Sequence, residues 1–351
     1  MGRTAPGYQP SPDPVLNVCD DRRVDGRWGL TIPLGGVSLP DHQQLLAALP
    51  DLGYTDVWTS EVSGTDAFTP LTLASVWSPT LRLGTAVAPV FTRGPGLLAM
   101  TAAAVADAAP GRLALGIGAS SPVVVNHWNG VPFEKPYERS RDVLRFLRRT
   151  LAGEPFDEET ETFTVRRFKL ERPPAQPPAL LLAALRAKML RLAAAEADGT
   201  ILNWLSADDV ATARAELTEA KPGFEVAARI FVCPTPNLEY ARTTGRRMIA
   251  AYLTVPAYAA FHRWLGRGEQ LKTLWEAWAA GDRRTAAASV PDEVVDALLV
   301  HGTPEECQRH VQRYVDAGVT TPAIALVPTP ELEAGGVDEL VATLRALGAR
   351  S

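Results

Sequence analysis

The chain has little of what marks a metal centre, a disulfide scaffold or a polyanion binder. Its 351 residues include three cysteines, Cys19, Cys233 and Cys307, far apart and forming no CxxC pair. Neither zinc spacing nor a disulfide framework is supported, and this usage fits a reducing cytoplasm, the expected location. Basic residues are not in excess: the formal net charge is -5, whereas a nucleic-acid binder carries a basic patch or stripe. The longest apolar stretch, Leu97 to Ala119, is broken by Asp107, Pro110 and Arg112, so no membrane span is expected. Internal repeats, a Walker-type loop, a nucleophile elbow and a metal-ligand cluster are all missing from the pattern. Residues 1–27 are rich in Pro, Asp and Arg and lack the apolar core of a secretory signal. Met1 to about Gly26 is expected to be a flexible tail.

What is present is an alternation. Apolar residues make up 46% of the chain, ample for a sizeable core. Short apolar runs at Trp28–Leu34, Thr55–Thr59, Leu81–Pro89, Leu113–Ile117, Leu180–Ala184, Gly199–Asn203, Val226–Val232 and Thr321–Val327 read as strands. Helical patterns separate them, among them Pro95–Ala109, which opens with Pro as a first turn allows, and the amphipathic Glu138–Ala152. His301-Gly-Thr-Pro-Glu-Glu306 starts a well-capped helix, and Val337–Leu347 closes the chain. Such an order predicts an α/β fold, a (β/α)8 TIM-type barrel, with a doubly wound open sheet as the alternative. One domain over residues 27–351 is long but normal for a barrel with insertions. Two insertions interrupt it: a hairpin near 154–178, with the alternation TFTVRRFKL, and a Trp- and Ala-rich helical segment at 255–299.

Leu113 to Asp142 is the most informative stretch. A buried strand ends in Gly116-Ile-Gly-Ala-Ser-Ser121 and opens into a loop carrying Asn126-His127-Trp128-Asn129. Barrel enzymes place their chemistry in such strand-end loops. The glycines begin a dinucleotide fingerprint, but Ser121 stands at the third position and the acidic residue expected about twenty positions on is not clearly at a strand end. The segment offers small residues and backbone N–H groups to a phosphate or a flat ring; a tight strand-to-loop turn is the alternative.

Leu83-Gly-Thr-Ala-Val-Ala-Pro-Val-Phe91, Gly111-Arg112-Leu113 with GIGASS, HWNGVPFEKPYERSRD and HGTPEECQRHVQRYVDAGV together resemble the bacterial luciferase-like monooxygenase superfamily, and within it the coenzyme F420-dependent oxidoreductases. The resemblance runs from about Trp28 to Leu347. It implies a non-prolyl cis peptide at Ala86–Val87 backing the deazaflavin ring, with an ordinary trans strand residue as the alternative, and a phosphate grip from Ser120, Ser121, Leu185 and Arg186, with Arg186 and Lys188 as added charge or as solvated helix-start cations. Related proteins often have a glycine pair where Leu185-Arg186 stand. Sugar-phosphate dehydrogenases of the family carry a histidine after the second strand, a glutamate after the fourth and a lysine for the substrate phosphate. Val62, Ser121 and Ser206 fall there, which argues against glucose-6-phosphate oxidation.

The remaining acid–base candidates are His127, in the loop beyond the fourth strand beside Asn126 and Trp128, and Glu61, which could bond the cofactor ring or act as a base. A packing role for His127 and a structural role for Glu61 are the alternatives. His42, His262, His301 and His310 read as structural, and Tyr258 to Trp278 either roofs the pocket or packs as a helical unit. The expectation is an oxidoreductase that moves hydride between coenzyme F420 and a small organic substrate. An FMN-dependent monooxygenase fed with reduced flavin, and a non-catalytic deazaflavin-binding protein, are the alternatives. No nucleic acid or membrane partner is expected; a homodimer is left open.

Overall fold

A computed structural model describes residues 26–349; the expected tail and Cys19 lie outside the described residues. Eight parallel strands close on themselves: β1 Gly29–Thr31, β2 Asp56–Thr59, β3 Arg82–Thr85, β4 Leu113–Gly118, β5 Ala179–Ala183, β6 Gly199–Asn203, β7 Glu225–Pro234 and β8 Thr321–Leu326. Each pairs with the next, and β8 pairs back to β1. Strands covered on both faces must be apolar throughout, as Leu180-Leu181-Leu182 and Leu113 to Ile117 are.

Helices α1 His42–Ala48, α2 Thr69–Trp77, α3 Pro95–Ala108, α4 Pro136–Leu151, α5 Ala187–Glu196, α6 Val210–Arg214 and α7 Leu238–Leu253 alternate with the strands. Helix α4 shows why: Val143, Leu144, Phe146, Leu147 and Leu151 are buried, while Arg145 and Arg148 on its outer face pair with Glu196 and Asp198. The 255–299 insertion forms four short helices, α8 Pro256–Trp264, α9 Lys272–Ala279, α10 Arg283–Ala288 and α11 Asp292–Leu298. The other insertion is a two-stranded antiparallel hairpin, Phe156–Glu159 with Thr164–Phe168. Helix α12, Pro304–Asp316, opens with a capping box between Thr303 and Glu306.

Three elements differ from expectation. The third strand is not continuous over Leu81–Pro89. It stops at Thr85, and after a cis Ala86–Val87 peptide Ala88–Pro89 resumes pairing with β4. The loop around His127 is instead a wide helical turn, Val123–Trp128. The closing helix, α13 Pro330–Leu347, starts at Pro330 rather than Val337 and bends at Gly336 (φ 61°); Thr329 caps it by accepting from the Leu332 N–H.

The barrel interior is sealed from the N-terminal end upward. Arg82 donates two bonds to Glu225 (2.7 and 2.6 Å) and one to Asp56 (3.2 Å), and Thr321 donates to Glu225 (2.7 Å). Above this layer the Trp58 ring fills the axis among Ala114, Leu181, Ile201, Ala227 and Ala323. Only a glycine at position 84 allows it, since a Cβ there would lie 2.2 Å from the ring. Chemistry is therefore confined to the C-terminal ends of the strands.

Candidate functional site at the barrel mouth

Three irregular backbone positions lie at that end, while Lys135 and Arg167, also with positive φ, lie at the start of α4 and in the hairpin. The cis Ala86–Val87 peptide follows β3, Ser120 (φ 63°) follows β4, and Trp204 (φ 53°) follows β6. Non-glycine residues in the left-handed region persist only where the surroundings enforce them, and they gather at working sites.

Local packing builds the β3–β4 side. The Ala86 N–H donates to the Thr59 carbonyl (2.6 Å) and the Glu61 N–H to the Val87 carbonyl (3.4 Å), tying the irregular segment to β2. A Cβ on Gly116 would meet the Thr85 carbonyl at 2.0 Å, and one on Gly118 would meet Val87 and Ala183 at 2.9 and 3.0 Å. Both glycines thus serve close strand approach. Ala86, Val87, Gly118 and Ala183 come together as a bed of small side chains at the mouth.

The expected phosphate residues flank this bed. Ser120 and Ser121 follow β4; the Ser121 hydroxyl accepts from the Val124 N–H (3.3 Å) and so caps the Val123–Trp128 turn. Leu185 and the exposed Arg186 follow β5, and Arg186 leads into α5, its carbonyl accepting from Met189 and Leu190. The first N–H groups of a helix lack intrahelical partners and attract anions. Lys188 is engaged elsewhere, 3.7 Å from the Tyr137 ring centroid and 3.7 Å from Glu138.

The acid–base candidates separate. Glu61 is committed: its carboxylate accepts from Arg93 (2.8 to 3.3 Å) and from the Ala67 N–H (3.0 Å), and the Arg93 guanidinium lies over the Phe68 ring at 4.8 Å. His127 is exposed on the wide turn, and its neighbour Trp128 is 54% exposed, so it does not fix Trp128 by packing in a core.

The opposite wall, over β6 and β7, holds residues that sequence reasoning missed. Asn203 ends β6 and donates to the Tyr258 hydroxyl (2.8 Å) from α8. Arg229, on β7, faces Asn203 across the strand pair, with its guanidinium 4.8 Å from the Phe231 ring centroid. Trp204, Phe231 and Tyr252 form an aromatic wall, with centroids 4.3 Å apart for Trp204–Phe231 and 5.0 Å for Trp204–Tyr252. Burial pushes the Tyr258 hydroxyl up to about 12, so it stays a neutral donor and acceptor. Tyr258 therefore reaches the mouth, whereas Trp275 and Trp278 pack within the insertion against Arg263 and Arg283. One signal was available: Arg229 is the lone charge in the apolar run Val226–Val232.

Two grooves lie away from these residues, one of about 390 Å³ beside Asp66, Phe68 and Arg93. The other, of about 470 Å³, lies between α4 and the hairpin, lined by Arg141, Arg149, Glu158 and Glu161, whose charges pair with one another or with neighbours. No group of three or more potential metal ligands occurs among the described residues, and none of their helices is long and apolar enough to cross a membrane.

A closed (β/α)8 barrel, sealed below and irregular above, defines an enzyme-type barrel. The chain belongs to the luciferase-like monooxygenase family, whose model matches residues 26–321. It is 28% identical, over 84% of this chain and 91% of the relative, to a Mycobacterium tuberculosis protein whose name assigns it provisionally to the coenzyme F420-dependent oxidoreductases. Its fold is similar to that of the coenzyme F420-dependent tetrahydromethanopterin reductase from Methanopyrus kandleri (20% identity, TM-score 0.74, 92% of this chain and 97% of that one). It is also similar to the oxygenating constituent of 3,6-diketocamphane monooxygenase from Pseudomonas putida, solved with FMN (15% identity, TM-score 0.61, 93% of this chain and 97% of that one).

Proposed function

We propose that this protein is an oxidoreductase that uses coenzyme F420 to move hydride to or from a small organic substrate. The observation that carries the reading is the bed of Ala86, Val87, Gly118 and Ala183 at the mouth, a surface without bulky or charged side chains that suits one face of a flat ring. The named relatives that use coenzyme F420 support the choice of cofactor.

Bound there, coenzyme F420 supplies two-electron hydride chemistry. The chain's own residues do the rest. Ala86 and Val87 support the ring, and the Thr59 and Glu61 backbone holds them in place. Ser120, Ser121, Leu185 and Arg186 supply N–H groups and one cation to the cofactor phosphate. Glu61, fixed by Arg93, secures the β2 side of the bed rather than exchanging protons. His127, exposed beside the mouth, gives or takes the substrate proton. The fold shared with an FMN-bound monooxygenase keeps one second reading in view, an FMN-dependent enzyme fed with reduced flavin.

The deciding experiment titrates purified protein separately with coenzyme F420 and FMN, following cofactor fluorescence. Saturable binding of coenzyme F420 with no comparable FMN response is expected. Tight FMN binding with no coenzyme F420 response overturns the reading in favour of the second.

A further inference from the structure

Every arginine near the barrel axis ought to have an acid. Arg82 has two, Glu225 and Asp56. Arg229, four residues above Glu225 on the same face of β7, makes no ion pair among the described residues, and its Nε is buried without a hydrogen-bond partner. It is not alone. The Oδ1 of Asn203, the Oγ1 of Thr31 and the Nε1 of Trp58 are also buried and unpartnered. Asn203 is in register with Arg229, and Thr31 with Trp58. The first pair stands on β6 and β7, the second on β1 and β2. Buried polar groups left without partners are costly; the Trp58 indole faces the sealed layer beside Gly29 and the Asn203 Oδ1 only accepts, so the donor at the mouth that an acceptor from outside completes is Arg229.

We infer that the wall over β6 and β7 is the substrate's anchor, and that the substrate carries a carboxylate. This rests on the proposed function, in which the cofactor occupies the opposite, β3–β4 side. Charge selects the class of substrate. The wall has one cation, Arg229; the next nearby, Arg267, is engaged with Asp209 and Ser206. One guanidinium matches one negative charge, whereas a phosphate dianion would leave an unbalanced charge in a half-buried site. The guanidinium fork suits the two oxygens of a planar carboxylate. Its position over Phe231, beside Trp204 and Tyr252, suits a flat or apolar body attached to that carboxylate. Tyr258, held by Asn203, adds a neutral hydroxyl that closes the roof. A single arginine gives specificity between acid and neutral amide, because the amide leaves the guanidinium without its counter-charge.

The test uses benzoate as the carboxylate probe, with benzamide and inorganic phosphate as controls, on the full chain. Binding is read by tryptophan fluorescence, to which Trp204 contributes through its contact with Phe231. Saturable benzoate binding is expected, with benzamide and phosphate at least tenfold weaker. Arg229→Met should weaken benzoate at least tenfold. Asn203→Asp supplies an internal carboxylate in register with Arg229 and should abolish benzoate binding while keeping the arginine, so it remains informative if Arg229→Met does not fold. Urea midpoints of both variants check the fold, and coenzyme F420 affinity is measured on the same samples and should change less than twofold. Benzoate binding unchanged in both variants, or phosphate bound more tightly than benzoate, overturns the inference. Loss of coenzyme F420 affinity in folded Arg229→Met also overturns it, since it assigns Arg229 to the cofactor. Arg229-dependent benzoate binding in a protein that binds no coenzyme F420 upholds the anion site and removes the cofactor reading instead.

Discussion

His262 is fully buried on α8. Burial first, and the Arg267 charge second, lower its pKa to about 4, with Asp209 and the Trp204 backbone pulling weakly the other way. An unfolded chain protonates the same ring near pH 6.5. Between those values the unfolded state holds a proton that the folded state does not, so stability rises with pH across the window. The contribution of the neutral ring is fully present above about pH 6.5 and is lost as pH falls towards about 4. Each pKa unit is worth roughly 1.4 kcal/mol, which makes the full effect on the order of 3 kcal/mol. Urea unfolding at pH 7.5 and 4.5 measures it. His262→Gln should remove most of the difference attributable to this ring, and a variant with the wild-type slope would assign the acid sensitivity to other groups. Arg229 shows what a sequence pattern hides. An arginine in an apolar run reads as an exception until the register places Asn203 beside it.

Among the elements, β2, β3, β7 and β8 are joined below Trp58 by one charge cluster. Asp56 is wholly buried, and burial raises its pKa despite Arg82 and Arg27; Arg82 and the Thr321 hydroxyl hold Glu225 below its usual range against the same burial. Arg82→Met leaves two carboxylates without their shared cation, and breaking a buried pair costs about 3–5 kcal/mol. A loss of that size in urea unfolding at pH 7 is expected, with part of it restored in Arg82→Met combined with Glu225→Gln. A variant as stable as wild type would show that the cluster is solvated and contributes little. Elements fixed by nearby sequence were legible: the strand and helix alternation, the α4 stripe, the hairpin and the Thr303–Glu306 capping box. Those decided across the barrel were not. The break after Thr85 depends on β2 and β4 on either side, and the Val123–Trp128 turn depends on the Ser121 cap and on Val124 and Val125 finding a buried face. The site was half legible for the same reason. Its cofactor side follows motifs contiguous in the chain, and its Asn203–Arg229–Tyr258 wall is assembled from three distant segments.

Besides the cluster around Trp58, the described residues form two large cores, and Tyr258 packs against both. The second core joins Trp204, Phe231, Ala325 and Val327 of the barrel to Leu271, Leu274, Val290, Val294 and Leu298 of the insertion. Phe231 is the central link, stacked on Trp204 and buried against both sides. Polar ties reinforce the join, from Asn203 to Tyr258 and from Arg267 to Asp209. The last helix is stapled to the first strands, the Trp28 indole donating to the Leu347 carbonyl (2.9 Å) and the Tyr54 hydroxyl to that of Leu344 (3.1 Å). An insertion that borrows its core from the barrel has no separate stability, so barrel and insertion should unfold together. Far-UV circular dichroism reports the helices and strands throughout, and tryptophan fluorescence reports both halves through Trp58 and Trp204 on one side and Trp264, Trp275 and Trp278 on the other. The two urea transitions should superimpose. Phe231→Ala, a large buried truncation expected to cost about 3–5 kcal/mol, should shift both by the same amount. A fluorescence transition that precedes the loss of secondary structure, or one that moves alone in Phe231→Ala, would make the 255–299 segment a unit of its own and leave Tyr258 as a visitor to the barrel mouth rather than part of its wall.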